Sequence, residues 1–142
     1  MRTAWRVGLV LTVALWGGHG SLAAEQATAC PFAGQKPLLA VHMFLGQSLS
    51  TGGTVTTQQW NEFLRKTVTP LFPEGLTVYS TYGQYQNPTT KKITREPSKD
   101  LFVDGVDTAN LRSRVTKVAD AWKKQFNQQS VGIVTSTECM VF

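Results

Sequence analysis

The hydrophobic period of this chain changes in a definite succession, and that succession restricts the fold more than any single motif. Leu39, Val41, Met43 and Leu45 alternate within the run Leu38 to Gly46, the pattern of a strand with one apolar face. Trp60, Phe63, Leu64, Val68 and Leu71 then recur at spacings of three and four, the stripe of an amphipathic helix. Thr56 with Gln59 forms a capping box before it, and Pro70 and Pro73 limit its end. Leu76 to Tyr85 is dense in Thr, Val and Tyr, Asn87-Pro88 marks a turn, and Ile93 to Val103 returns as a second strand of a hairpin. Leu111, Val115, Val118, Ala119, Trp122 and Phe126 line one side of a second helix, with Arg112, Arg114, Lys117, Lys123 and Lys124 mostly around the other. Val131 to Phe142 closes the chain as a strand, with a break expected near Glu138.

The order β-α-β-β-α-β is the split βαβ arrangement of ferredoxin-like α+β folds. Right-handed crossovers place both helices on one face of a four-stranded antiparallel sheet. Each helix then buries its stripe against that sheet. Nothing remains to cover the opposite face except the segment before Leu38, so that face is polar or receives a partner, a ligand or a second copy.

The N-terminus reads as an export signal. Arg2 and Arg6 precede an apolar run from Val7 to Trp16, half the length a bilayer-spanning helix of about 20 residues needs. Small residues at Ser21-Leu22-Ala23-Ala24 fit cleavage after Ala23 or Ala24, against the alternative of a retained anchor. The expected organisation is a signal peptide over 1–24, an arm over 25–37 and one domain over 38–142. Without the signal, 14 basic residues become 12 against 9 acidic ones, a net charge of +3. Acidic and polar positions interrupt those charges, so they form a mildly basic solvated surface rather than a nucleic-acid interface. The segment from Gln26 to Pro37 is a short lead-in rich in Ala, Pro and Gly.

Two cysteines, Cys30 and Cys139, stand near the two ends of the mature chain. In an oxidising compartment an even pair without a third thiol forms one disulfide, closing a loop of about 110 residues. Ala27-Thr28-Ala29-Cys30 leaves a second reading, a lipoprotein acceptor, but Ala27 stands where such sites prefer Leu. A redox-active pair fits worse, because catalytic dithiols usually sit close together in the chain.

The stretch Phe72-Pro73-Glu74-Gly75-Leu76-Thr77-Val78 joins the first helix to the hairpin. Together with Trp60, Phe63, Val68-Thr69-Pro70, Gly83-Gln84, Arg95-Glu96-Pro97-Ser98-Lys99 and the terminal Val131 strand, it resembles the bacterial exported family catalogued as domain of unknown function 3574. The resemblance runs from about Leu39 to Phe142, with Tyr85 where the family pattern has Trp and His42 at an apolar strand position. It implies the same fold and an exported location, and it supplies no catalytic residues.

The candidate site residues are His42, Glu74, Tyr82, Gln84, Glu96 and Ser98. Ser98 beside Lys99 has the residue types of a nucleophile and its base, but adjacent strand residues point to opposite faces. Glu96 is expected to pair locally and, with Arg95, to anchor the hairpin. Glu74 with Glu96 would form an acid–base pair if their strand edges converged, while Glu74 in a turn before a positive-φ Gly75 is the structural reading. His42 is the only histidine after signal removal, too few for a metal shell, and no cofactor is expected. Tyr79, Tyr82 and Tyr85 either line a pocket or pack as cross-strand pairs. Two functions fit: a non-enzymatic envelope protein binding a partner or small ligand on the open face, or a dimeric ferredoxin-like enzyme or haem or small-aromatic binder. A polar pocket joining His42, Tyr82 and Glu96 would favour the enzyme.

Overall fold

The computed structural model describes residues 30–141. The expected signal peptide over 1–24 and the first part of the expected arm lie outside the described residues. Strand β1 spans Lys36–Gly46, β2 Thr77–Gln86, β3 Ile93–Gly105 and β4 Gly132–Met140. Between β1 and β2 one continuous helical segment, α1, covers 57–71, and α2 covers Ala109–Phe126 between β3 and β4. The sheet order is β2-β3-β1-β4, with every neighbouring pair antiparallel. This is the four-stranded ferredoxin-like α+β arrangement that the succession of periods predicts.

The local reasons are visible element by element. Thr56 accepts from the Gln59 backbone N–H while the Gln59 side chain accepts from the Thr56 N–H, closing the capping box. Pro70 has no N–H for the carbonyl four residues earlier, and α1 widens just before it into a π-helical turn over Leu64–Val68. Thr108 caps α2 through the Leu111 N–H, and Asn127 ends it in the left-handed conformation at φ 51°. In the β2–β3 turn the Asn87 carboxamide oxygen accepts the N–H groups of Thr89 and Thr90.

Alternation decides the faces. Val41, Met43, Leu45, Leu101 and Val103 point to the helix side and are buried with Trp60, Phe63, Val68 and the whole α2 stripe. Trp122 is fully buried, 4.4 Å from the Phe126 ring and 5.0 Å from Phe63. The chain after α1 turns through the Phe72 corner. Phe72 is buried, Arg114 of α2 lays its guanidinium over the Phe72 ring at 4.7 Å, and Arg114 also donates to the Leu71 carbonyl and to Glu74. Gly75 follows at φ 141°, the positive value expected of it.

Two expectations change. β1 begins at Lys36, two residues inside the expected arm, because Lys36 and Pro37 pair with Met140 and Cys139. β4 is unbroken at Glu138, which stands opposite Leu38 in the ladder. The described part of the arm is fastened to β4, where Cys30 is bonded to Cys139 and Gln35 donates to the Cys139 carbonyl. Among the described residues, no helix is long and apolar enough to cross a membrane.

Candidate functional site

The ladder registers define what stands on the face away from the helices. Across β2, β3 and β1 the rows read Tyr79–Asp100–Phe44 and Thr81–Ser98–Gly46, and β2 and β3 continue with Gly83–Glu96 and Tyr85–Thr94. Gly132 of β4 stands beside Phe44. Three strand positions in this small area therefore carry no side chain, and the sheet surface is hollowed there. A concave site of about 800 Å3 occupies the area, walled by the loops at 48–50 and 127–130. Gln128 donates to the Ser48 carbonyl at 2.7 Å and Asn127 to the Ser50 hydroxyl at 3.3 Å, so the two loops brace each other.

Glu96 sits in the middle of this floor, between Gly83 and Gly46. Its two carboxylate oxygens lie 3.0 Å from where a Cβ on Gly46 would be, so a side chain at 46 would displace the carboxylate. At Gly83 an added Cβ would meet nothing within 4 Å. Glu96 is the one charged residue lining the hollow, and among the described residues it has no hydrogen-bond or ion-pair partner. The expected local pairing of Glu96 is absent. Its neighbours in the chain face the other way: Arg95 donates to Gln84 at 3.1 Å, and Lys99 donates to Ser80 at 2.8 Å and lies 5.9 Å from the Trp60 ring centre. Arg95 braces the hairpin; Glu96 takes no part in that.

Pro97, at the centre of a paired strand, is unusual. Its carbonyl accepts from Gln47 just beyond the end of β1, so its nitrogen faces the same strand end. No ladder bond is lost in mid-sheet, and the floor of the hollow stays flat.

Glu74 lies elsewhere. It is bound to Arg114 at the Phe72 corner, and its charge acts on Asp104, eight residues along β3 from Glu96 or about 26 Å at strand rise. The Glu74–Glu96 acid–base pair is therefore not built. The Glu74 carboxyl is held below its ordinary range by its own backbone N–H and then by Arg114. Asp104 is shifted upward, first by burial and then by Glu74.

Tyr82 and Gln84 border the hollow from β2, but their ladder partners Pro97 and Arg95 put them on the helix side of the sheet. The hollow is lined by both Tyr82 and Glu96 but not by His42, so the pocket joining all three is not assembled. Ser98 lies on the open face beside Thr81, and Lys99 on the other. His42 is also on the open face, behind Phe44. Its Nδ1 lies 2.9 and 3.1 Å from the Asp100 carboxylate oxygens, and its ring is 4.9 Å from Phe102. Asp100 is buried and did not stand out in the sequence, where it reads as one polar step in strand alternation. Only the β1–β3 register brings it to His42, 58 positions away. Among the described residues, no group of three His, Cys, Asp or Glu could hold a metal ion.

Residues 40–142 match a family model described as "Protein of unknown function (DUF3574)". No curated protein matches the chain. Among solved structures, a phage SAM lyase in complex with S-methyl-5'-thioadenosine is similar at 12% identity and a TM-score of 0.53, over 72% of this chain and 90% of that one. A phage SAM lyase in its apo state is similar at 15% identity and a TM-score of 0.54, over 71% and 81%. At these identities the likeness is one of fold.

Proposed function

The chain belongs to the DUF3574 family of unknown function, and from the hollow in its sheet we propose that it is an exported, non-enzymatic protein that binds a small ligand. The observation that carries this reading is Glu96, unpaired among the described residues on a floor cleared of side chains at Gly46, Gly83 and Gly132. A surface carboxylate needs no such clearing; a carboxylate that meets a ligand does. Around it stand Phe44 and Tyr85 with the hydroxyls of Thr81 and Ser98, the mixture of apolar walls and few polar groups that small-molecule sites use. The disulfide supports the exported location, since such bonds persist in oxidising compartments.

The test is an amide NMR titration of the protein with small aromatic compounds of positive, zero and negative charge. Saturable shifts should group at Gly46, Gly83, Glu96 and Ser98, and Gly83→Leu, which fills the hollow without meeting a neighbour at Cβ, should remove them. Shifts that never saturate, or that group on another surface, would overturn the reading.

A second reading is an enzyme acting on a sulfonium. It draws on the fold shared with the phage SAM lyases and on the lone carboxylate in the hollow. Its test is incubation with S-adenosylmethionine: release of S-methyl-5'-thioadenosine that is lost in Glu96→Gln would replace the non-enzymatic reading.

A further inference from the structure

We infer that the hollow selects a small organic cation, an ammonium or a sulfonium, whose charge sits against Glu96 and whose apolar body lies along Phe44 and Tyr85. The inference rests on the hollow being a ligand site and adds the class of ligand.

The charge argument comes from strand alternation. Glu96 has a cation next to it in the chain, Arg95, and another three residues on, Lys99. Both are turned through the sheet and engaged there, Arg95 with Gln84 and Lys99 with Ser80 and the Trp60 ring. The remaining lining of the hollow is hydroxyl, amide, aromatic and backbone. The carboxylate thus faces a concave, partly desolvated space with no counter-charge among the described residues, where a unit positive charge is attracted more strongly than on an open surface. An anion would meet repulsion from Glu96 and no compensating group.

The aromatic argument is independent. Phe44 and Tyr85 keep 39% and 56% of their surface exposed while bordering the same hollow, and although the His42 ring stacks on Phe44, part of each aromatic side chain is open to a ligand. Ring faces attract cations through their quadrupole and also give an apolar body somewhere to lie. A metal ion fits the site badly, because hard cations need several oxygen ligands and the hollow offers one carboxylate. An organic cation needs only one counter-charge and a surface for its carbon skeleton.

Two matched pairs test this, each changing charge with little change of shape: benzyldimethylsulfonium against benzyl methyl sulfide, and tryptamine against tryptophol. Each is titrated into the protein by amide NMR at low salt, then into Glu96→Gln, whose spectrum reports that the fold is intact. In at least one pair the cationic member should bind the hollow more tightly by about tenfold or more, the size expected of one charge-assisted contact. That preference should vanish in Glu96→Gln, and the responding pair tells sulfonium from ammonium. Neutral members binding the hollow as tightly as the cations in both pairs, or a preference that survives Glu96→Gln, would overturn the cation inference and leave the ligand site standing. If no charge class binds there, both fall.

Discussion

Glu74 and Glu96 illustrate how one residue type is put to two uses. Glu74 closes the Phe72 corner with Arg114, and its lowered pKa makes the contribution depend on pH in a definite direction. A depressed carboxyl stabilises above its unfolded value of about 4.3, and that stabilisation disappears as pH falls through the folded value. We expect Glu74→Gln to cost under about 1 kcal/mol at pH 7, since the carboxylate is half exposed, and nothing once both forms are protonated. Arg114→Ala should cost more, about 1–2 kcal/mol, because it also removes the Phe72 contact and the bond to Leu71. Urea unfolding across pH reads both. Asp104 has the opposite sign: its carboxyl is raised by burial and by Glu74, so it binds protons more readily when folded. Its penalty grows as pH rises through the unfolded value, and Asp104→Asn should stabilise the protein at pH 7 with no gain near pH 3, where carboxyls carry their protons.

The helices were the most legible elements, because a stripe at spacings of three and four has one burial solution on a sheet. Every residue of the expected α2 stripe is buried. Trp122→Ala should cost about 3–5 kcal/mol by urea unfolding, the range for emptying a large aromatic site. An unchanged midpoint would mean that α2 does not pack as described. Among the described residues the Trp122 indole N–H is buried without a partner, so Trp122→Phe should lose much less, trading contact area against an unpaired donor. The strands were legible in type and approximate extent. The continuity of β4 through Glu138 was not, since it follows from pairing with β1 rather than from β4's own residues.

For the molecule as a whole, β4 is the vulnerable edge. It pairs with β1 alone, and its residues from Gly132 to Glu138 are exposed on both faces. The Cys30–Cys139 bond, closing 109 positions, ties its far end to the segment that leads into β1. Chain-entropy arithmetic gives such a loop at most about 4–5 kcal/mol. Replacing both cysteines with serine should lower guanidinium stability by up to that amount and speed amide exchange first in the arm and the C-terminal half of β4. The hollow, at the opposite end of β4, should keep its amide shifts. Non-reducing peptide mapping of protein purified without reductant should recover one Cys30–Cys139 linked peptide; two free thiols, or a lipid on Cys30, would contradict the bond.

Whatever depends on local period or on a single residue's backbone needs could be read from the chain. The two helix stripes, the alternation of β1, the capping box and the positive φ of Gly75 are of this kind, because each follows from contacts within a few positions. The cysteine pairing was legible for a different reason: with two thiols there is only one partner to choose. The site was legible only in its parts. Glu96 and Ser98 stood out as residues, but the hollow exists because Gly46, Gly83 and Gly132, from three strands, meet around Glu96, and no local pattern encodes that meeting. The His42–Asp100 contact and the separation of Glu74 from Glu96 are likewise consequences of register. Register is set by burying the helix face of the sheet, so the open face inherits its neighbours from packing on the other side.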